Sequence, residues 1–317
     1  MRIPLELEQG IENEIKNIKI TELKNEAEKL SNRYLNEERT GKTLLSKEIE
    51  ALAYSIMRMP ATYGAISTVL KNTLNIIKKN KFKTLLDIGS GTGATIWAVS
   101  NLLDLDKIIC LEREEAMRKI GQLLLKYNEK QTDIEWINKD ITKDELPAAD
   151  IIIMSYVINE LSEENRKFLI QKLLKSDAKL ILIIEPGTPE GFKNVKQIQE
   201  IALNKGKYVI APCTSQEICK LPDNDWCHSV VRMERTKIHK LLKNAELSYE
   251  DEKFSYIVIS NEKYNLPEAR ILRHPIIEKG KITLKLCKKG NIEEKIVTKK
   301  DKDEFKKAKK KNCGDEF

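Results

Sequence analysis

The chain of 317 residues lacks several features that would decide its class at once. No apolar run approaches the roughly 20 residues of a membrane-spanning helix, because the longest, "ADIIIMSYVI" and "KLILIIEPG", are far shorter. The start, "MRIPLELEQGIENEIKNIKI", has no basic segment followed by an apolar one, and it is too acidic for a transit peptide. With 33% charged and 41% hydrophobic residues, we expect a cytoplasmic globular protein that does not bind membranes.

Internal repeats with a period of 20 to 50 residues are also missing, so a solenoid is not supported. Up to about residue 80, apolar residues recur at steps of three and four, which predicts helices with a break or kink at Pro60. From Phe82 onward, short apolar strands alternate with helices. Such alternation predicts a doubly wound, mainly parallel α/β sheet whose central strands are buried on both faces.

A loop rich in glycine follows the first predicted strand, "TLLDIG", with Gly89, Gly91 and Gly93 in close succession. Glycines let the backbone turn sharply and approach a ligand at the N-terminus of the next helix. In sheets of this kind, ligands bind at the carboxyl ends of the strands. We expect this loop, including Ser90 and Thr92, to bind a cofactor.

Acidic residues around the loop favour S-adenosylmethionine over a nicotinamide cofactor. The spacing is Gly-x-Gly-x-Gly instead of Gly-x-Gly-x-x-Gly, and Asp87 precedes it by two residues. Asp87 would repel a pyrophosphate but suits the ammonium of a methionine moiety. Glu112, at the end of the second strand, is placed to accept hydrogen bonds from ribose hydroxyls, and Asp140, after the third, could meet an adenine amine. The alternative is a tight turn without a ligand.

The methyl acceptor is not readable from these residues. Enzymes that methylate exocyclic amines commonly place Asn/Asp-Pro-Pro-aromatic after the fourth strand, where this chain has "SYVINEL". The dipeptide Pro212-Cys213 superficially matches one in the cytosine carbon-5 enzymes, but Cys213 lies beyond the fifth strand and belongs to a cluster. No side chain stands out as a general base, and no catalytic residue is predicted.

Three of the six cysteines, Cys213, Cys219 and Cys227, fall within eighteen residues. Clustered cysteines in a cytoplasmic protein indicate metal or redox chemistry, and thiolates select zinc, copper(I) or iron–sulfur clusters. The close Cys-x-x-Cys pairs of zinc modules are missing. His228 would complete a Cys3His set, but two neighbouring residues would be strained as joint ligands, so Cys287 is the better fourth candidate. The alternative is a set of unconnected buried cysteines.

Several segments spread over most of the chain form a specific combination: "MPATYGAI", "LLDIGSGTGAT", "SYVINEL", "IIEPGTPEGF", "DWCH", "RMER" and "YEDEKFSYIVIS". Together they resemble the methyltransferase-like small-ribosomal-subunit proteins, found in bacteria and, as assembly factors, in mitochondrial ribosomes. One departure is Ser229, where a phenylalanine commonly follows the family's Cys-His. The targeting segment of the mitochondrial members is missing, which favours a bacterial-type cytoplasmic protein.

The resemblance implies a 4Fe–4S cluster whose four ligands match Cys213, Cys219, Cys227 and Cys287, so an iron–sulfur cluster is expected in place of zinc. In this interpretation the cluster is structural. A radical enzyme is disfavoured, because its Cys-x-x-x-Cys-x-x-Cys spacing is missing.

The resemblance also implies binding to the RNA of the small ribosomal subunit, with Arg232, Arg235, Arg270 and Arg273 as helpers. Residues 288–317 carry eleven lysines against seven acidic residues, a net charge of +4 out of +7 for the chain. The simple interpretation of this tail is a solvated, poorly ordered end, and the functional one is a salt-sensitive contact to phosphates.

The expected protein is therefore a monomer with a class I methyltransferase (Rossmann-like) fold. We expect an N-terminal helical region at 1–80, a methyltransferase-like domain at 81–262 with a cysteine-rich, metal-binding insertion at about 206–232, and a C-terminal region at 263–317. The expected function is S-adenosylmethionine-dependent methylation of rRNA, subunit assembly, or both. The alternative is a non-catalytic assembly or rRNA-binding factor that retains the cofactor pocket.

Overall fold

A computed structural model describes residues 1–36, 45–78, 81–130 and 132–317. The chain divides into two compact units. The first unit comprises residues 1–70, 81–177 and 231–252, and the second comprises residues 71–80, 178–230 and 253–317. The domain boundaries expected from the sequence stay a prediction.

Helices precede Phe82, as predicted. They are α1 (Leu5–Glu14), α2 (Ile20–Asn36), α3 (Glu48–Met57) and α4 (Met59–Ile77). The predicted break near Pro60 is confirmed, because α3 ends at Met57 and α4 starts at Met59. Pro60 thus lies in the first turn of α4, where its missing N–H costs no intrahelical hydrogen bond.

Parallel strands form the centre of the first unit, in the order β3-β2-β1-β4. The strands alternate with helices as predicted, and this order is that of a Rossmann-like α/β fold. The elements are β1 (Thr84–Ile88), α5 (Ala94–Ser100), β2 (Lys107–Leu111), α6 (Glu115–Leu125), β3 (Asp133–Ile137), β4 (Ile151–Ser155) and α7 (Glu163–Lys175). Strand β4 is buried on both faces up to Met154, which explains its unbroken apolar sequence.

Antiparallel pairing distinguishes the second unit, in which the order is β5-β8-β6 and β8 (Tyr249–Ser260) runs against both neighbours. Strand β5 (Leu180–Pro186) and β6 (Tyr208–Ala211) flank α8 (Pro189–Asn204), a helix that the sequence reading did not identify. Strand β7 (Ser229–Glu234) pairs with β8, and α9 (Lys237–Leu242) follows it; residues 231–252 of this stretch belong to the first unit. Residues 212–228 form an irregular segment between β6 and β7.

A small antiparallel sheet follows, built from β9 (Ala269–Ile271), β10 (Ile276–Glu278), β11 (Lys281–Lys288) and β12 (Asn291–Thr298). One face buries alternate residues of β11, Ile282, Leu284 and Leu286, together with residues of the helix α10 (Lys302–Lys309). The interpretation of this tail as a poorly ordered end is wrong. The C-terminal backbone also pairs with β9, since the N–H of Phe317 donates to the carbonyl of Ala269.

Among the residues that the structure describes, no helix combines the length and apolar character that crossing a bilayer requires.

Gly191 makes a testable contact in the second unit. A Cβ atom at this position would lie 2.0 Å from the carbonyl oxygen of Pro186, a backbone atom that cannot rotate away. We expect Gly191→Ala to lower the free energy of unfolding by about 1–3 kcal/mol, the usual cost of overpacking. Gln197→Ala, at an exposed position of the same helix, is the control and should change it by less than about 0.5 kcal/mol. Urea denaturation measures both, and equal stabilities would contradict this packing.

Candidate functional site

The glycine-rich loop between β1 and α5 turns through three residues with positive φ: Gly89 (70°), Gly91 (55°) and Gly93 (88°). Side chains rarely adopt this conformation, so glycine is required here. At Gly89 a Cβ atom would also approach Val157 Cγ2 to 2.4 Å. At Gly91 the nearest atoms to a Cβ position, in Met117 and Tyr54, are 3.9 Å away, which leaves room beside the loop.

Glu112, directly after β2, is fixed against this loop, and its predicted contact with ribose hydroxyls stays a prediction. One carboxylate oxygen accepts a hydrogen bond from the Gly91 N–H and the other from the Glu114 N–H, each at 2.8 Å. Each carboxylate oxygen retains a further lone pair for another donor. The carboxylate is thus oriented before any ligand arrives.

Asp87 lies beneath the loop and is fully buried. Thr95 Oγ1 donates to its Oδ1 at 2.8 Å, whereas its Oδ2 has no hydrogen-bond partner among the described residues. Burial raises the pKa of Asp87 to about 7, against the lowering effect of the hydrogen bonds from Thr95 and Ser90. The site therefore contains a buried carboxyl whose charge would be stabilised by a cationic group.

The other predicted cofactor residues have different surroundings. Ser90 Oγ donates to the carbonyl of Asp87, and Thr92 Oγ1 contacts Met59 Sδ, so both buried side chains brace the loop from within. Asp140 lies on a turn after β3, where its carboxylate accepts hydrogen bonds from Thr142 that lower its pKa. Asp140 is about half exposed. The role of these residues in cofactor binding stays a prediction.

Two tyrosines near this loop were not identified from the sequence. Tyr156, directly after β4, has φ of 61°, a strained conformation for a residue other than glycine, and its hydroxyl donates to Glu252 at 2.8 Å. Tyr54, on α3, is half-buried, and desolvation raises its pKa to about 12. Local sequence patterns could not identify either tyrosine. Tyr54 approaches the loop from a different helix, and the partner of Tyr156, Glu252, belongs to the distant strand β8.

The second candidate site is a cavity of about 60 Å³ in the second unit, and Cys213, Cys219, Cys227 and Cys287 all line it. A single water needs only about 10–15 Å³, so this space is several times larger than one water requires. All six cysteines of the chain have free thiols. The structure thus brings together the four cysteines that were predicted as a set.

Each cysteine reaches the cavity from a different local setting. Cys213 follows the cis peptide bond between Ala211 and Pro212, at the end of β6. Cys219 and Cys227 belong to the irregular segment, and Cys287 lies on β11. Apolar side chains pack around them, chiefly Phe192, Leu221, Leu272, Trp226 and Ile292.

Desolvation is the main cause of the raised pKa values of Cys213, Cys219 and Cys227. The pKa of Cys213 is raised to about 12, chiefly by desolvation and also by the neighbouring thiols Cys219 and Cys287. Gln199 Nε2 donates to Cys213 Sγ at 3.2 Å, and Thr214 Oγ1 lies 3.3 Å from Cys287 Sγ. Deprotonation of several of these thiols therefore requires positive charge inside the cavity. In the described part of the chain, no three His, Cys, Asp or Glu side chains are arranged to hold a single metal ion.

His228 also lines the cavity but differs from the cysteines. Its ring stacks on Trp226, its Nδ1 has no hydrogen-bond partner among the described residues, and burial lowers its pKa.

The two remaining cysteines do not line the cavity. Cys313 is buried, and its thiol donates to the carbonyls of His228 and Leu272. Cys110 is buried within β2, as predicted.

The four arginines that the resemblance suggested for RNA contact differ in exposure. The prediction for Arg270 is wrong, because its side chain is only 2% exposed. Arg235 is largely buried against Glu250, and Arg273 is paired with Asp225. Arg232 is well exposed, although Asp251 engages it. The sequence could not distinguish a buried arginine from a surface one.

Comparison with known proteins decides the family. The model of the family described as mitochondrial small ribosomal subunit Rsm22 matches residues 48–317, which is most of the chain. The chain belongs to this family. The resemblance found in the sequence motifs is thereby confirmed.

A curated relative and solved structures share part of this similarity. The human mitochondrial ribosome assembly protein METTL17 is 23% identical over 228 residues, which cover 66% of this chain and 48% of the human protein. The chain thus spans about half the length of that relative.

Two solved structures show a more distant likeness. A SAM-dependent methyltransferase from Aquifex aeolicus is 21% identical, with a TM-score of 0.38, and the match covers 49% of this chain and 85% of that one. Magnesium protoporphyrin IX methyltransferase from Synechocystis, crystallised with bound SAM, is 9% identical, with a TM-score of 0.43 over 73% and 91%. These two likenesses are too distant to assign an activity.

Asp87 makes stability depend on pH. Its pKa in the folded chain, about 7, exceeds its ordinary value of 3.8, so the folded state binds the proton more tightly than the unfolded state. The stability from this proton is present below about pH 4 and is lost as the pH rises through 7. We expect Asp87→Asn to gain a few kcal/mol over the wild type across that interval in urea denaturation. The control Asp140→Asn, whose parent carboxyl has a lowered pKa, should show no such gain. If the free energies of unfolding of Asp87→Asn and the wild type changed in parallel with pH, the buried, protonated carboxyl would be contradicted.

Proposed function

We propose that this protein binds S-adenosylmethionine at the glycine-rich loop and acts on the small ribosomal subunit, as an rRNA methyltransferase, an assembly factor, or both. The observation that carries the proposal is the loop of Gly89, Gly91 and Gly93 with Glu112 fixed beside it, in a chain of the small-subunit family. Membership of the family supports the ribosomal partner. The loop supports the cofactor.

The residues around the loop fit S-adenosylmethionine. A positive group near Asp87 would stabilise its ionised form and satisfy the unpartnered Oδ2, as the ammonium of a methionine moiety can. The remaining lone pairs of Glu112 can accept hydrogen bonds from ribose hydroxyls, and Asp140 is assigned to the adenine amine. When bound, this cofactor supplies the methyl group. Class I methyltransferase is therefore the fold assignment that we favour.

The four-cysteine cavity fits a 4Fe–4S cluster. Four cysteine thiolates are the usual ligands of such a cluster, and thiolates are soft donors that select it. The ligands would be Cys213, Cys219, Cys227 and Cys287, which line a buried, mainly apolar space larger than one water requires. A cluster is wider than a single ion, so its four ligands need not converge on one point. It would fasten the segment 213–227 to β11, and its binding energy would contribute to folding.

Binding to small-subunit rRNA is proposed from the family and from the net charge of +7. The exposed Arg232 and the lysines of the C-terminal region can contact phosphates, and such contacts weaken with salt. A monomeric, cytoplasmic protein remains our expectation for this chain.

A non-catalytic assembly factor is the second candidate. The feature that favours it is the segment after β4, "SYVINEL", which lacks the motif of the amine methyltransferases. Tyr156 in this segment donates its hydroxyl to Glu252, so that hydroxyl proton is already engaged within the protein. In this case the cofactor pocket would serve stability or sensing.

Iron and sulfide content tests the cluster. We expect the wild-type protein, purified without oxygen, to contain about four iron and four sulfide per chain, and Cys219→Ser to lose most of both. Cys313→Ser is the matched control, because Cys313 is a buried neighbour that does not line the cavity, and a hydroxyl can keep its hydrogen bonds to His228 and Leu272. A colourless wild type, or one that contains zinc alone, would reject the cluster.

Cofactor binding is tested at two glycines with similar backbone conformations. Gly89 and Gly206 have φ of 70° and 75°, but only at Gly89 would a Cβ atom collide with another residue. We expect Gly89→Ala to weaken S-adenosylmethionine binding at least about tenfold in calorimetry, a loss of about 1.4 kcal/mol, while Gly206→Ala binds like the wild type. Equal affinities would place the cofactor elsewhere.

The same proteins separate enzyme from factor when they are incubated with methyl-labelled cofactor and immature small subunits. Transfer of label to the RNA by the wild type, and its loss in Gly89→Ala, would support a methyltransferase. Binding to the particles without label would reject methyl transfer to those particles and leave the assembly factor.

A further inference from the structure

We propose that Arg270 is the built-in counter-charge of the four-cysteine cavity and the residue that positions its walls. This inference rests on the cluster proposed above and deepens it. It replaces the role in RNA contact that the sequence suggested for Arg270.

The position of Arg270 in the small sheet places it at the cavity. In the antiparallel pairing of β9 with β11, Arg270 lies directly opposite Cys287. Residues opposite each other in such a pair project from the same face of the sheet. Arg270 lines the cavity together with all four cysteines, and it is among the largest side chains buried in the described part of the chain.

Hydrogen bonds from its guanidinium join Pro212, which lines the cavity, to the C-terminal segment. Nε donates to the carbonyl of Pro212, the residue before Cys213, and Nη1 donates to the carbonyl of Gly314, each at 2.6 Å. A guanidinium presents its donors in a rigid fork, which an ammonium cannot reproduce. Arg270 therefore fixes the backbone next to one proposed ligand and attaches the C-terminal segment to the same site.

The charge of Arg270 is only partly balanced by protein groups. Its Nη2 makes no hydrogen bond among the described residues and lies 3.6 Å from an oxygen of Glu316, whose side chain is 44% exposed. A buried charge of this kind is costly unless it is paired. The two lysines that line the cavity differ, because Lys196 pairs with Asp223 and Lys220 pairs with Glu217 in more exposed positions.

Four thiolates supply the negative charge that would balance Arg270. Cys287 lies opposite Arg270 in the strand pairing, and Pro212, whose carbonyl accepts from Arg270 Nε, directly precedes Cys213. Because a guanidinium stays charged at all ordinary pH values, its stabilisation of thiolates does not depend on pH. A cluster held by four thiolates carries net negative charge, and a fixed cation beside it favours the reduced state, in which that charge is larger.

The test compares Arg270→Gln, which removes the charge, with Arg270→Lys, which keeps it. Each protein is purified without oxygen, assayed for iron and sulfide, and titrated with dithionite to obtain the midpoint potential of the cluster. We expect Arg270→Gln to retain less than about half of the iron and to have a more negative midpoint potential. Arg270→Lys should keep a potential near that of the wild type. Arg232→Gln, at an exposed arginine, should leave both measurements unchanged.

A second variant keeps the inference testable if Arg270→Gln does not fold. Glu316→Gln removes the half-exposed partner of Nη2 and leaves Arg270 in place, so it should shift the midpoint potential in the opposite direction, to a more positive value. An altered apo-protein stability with unchanged potentials in all variants would mean a purely structural arginine and would overturn the counter-charge.

The outcomes separate this inference from the proposed function. A wild-type protein without iron and sulfide rejects the cluster itself, and the inference falls with it. A wild-type protein with a full cluster, together with an Arg270→Gln protein of equal iron content and potential, rejects the inference alone.

Discussion

The second unit depends on one constraint, the placement of four partly buried cysteines around a common cavity. Cys213, Cys219 and Cys227 come from one irregular segment, whereas Cys287 comes from a strand 60 residues later in the chain. Desolvation raises the pKa of the Cys213 thiol, and the neighbouring Cys219 and Cys287 add to this rise. Apolar side chains such as Phe192, Leu221 and Leu272 pack around them, and Arg270 is the buried cation of the cavity wall. A positively charged inorganic centre that joins the four sulfur atoms would stabilise them as thiolates.

The glycine-rich loop of the first unit is shaped mainly by its backbone conformation. There the backbone is preorganised by positive φ angles and by Glu112, which holds the N–H groups of Gly91 and Glu114. Asp87 keeps a carboxyl oxygen buried without a partner, which costs stability in the absence of a cation. This cost lies directly beneath the glycine-rich loop, where a bound cation would remove it.

Much of the fold could be predicted because it follows from local patterns. The alternation of strands and helices, the break at Pro60 and the strand before Cys287 are all encoded in short stretches of sequence. The helix α8 and the ordered C-terminal region were missed. Both are rich in charged and polar residues, and their order comes from tertiary contacts, such as those of Phe305 and Phe317 against the small sheet.

The sequence by itself determined which residue types are available at the two candidate sites: the glycine spacing with its flanking acids, and the cysteines. These are properties of residue type and spacing, which a single sequence contains in full. Only the tertiary structure decided that Arg270 is buried opposite Cys287 and that Tyr54 and Tyr156 lie near the glycine loop. Burial and contacts between distant segments depend on how strands pair and helices pack, and no local pattern records them.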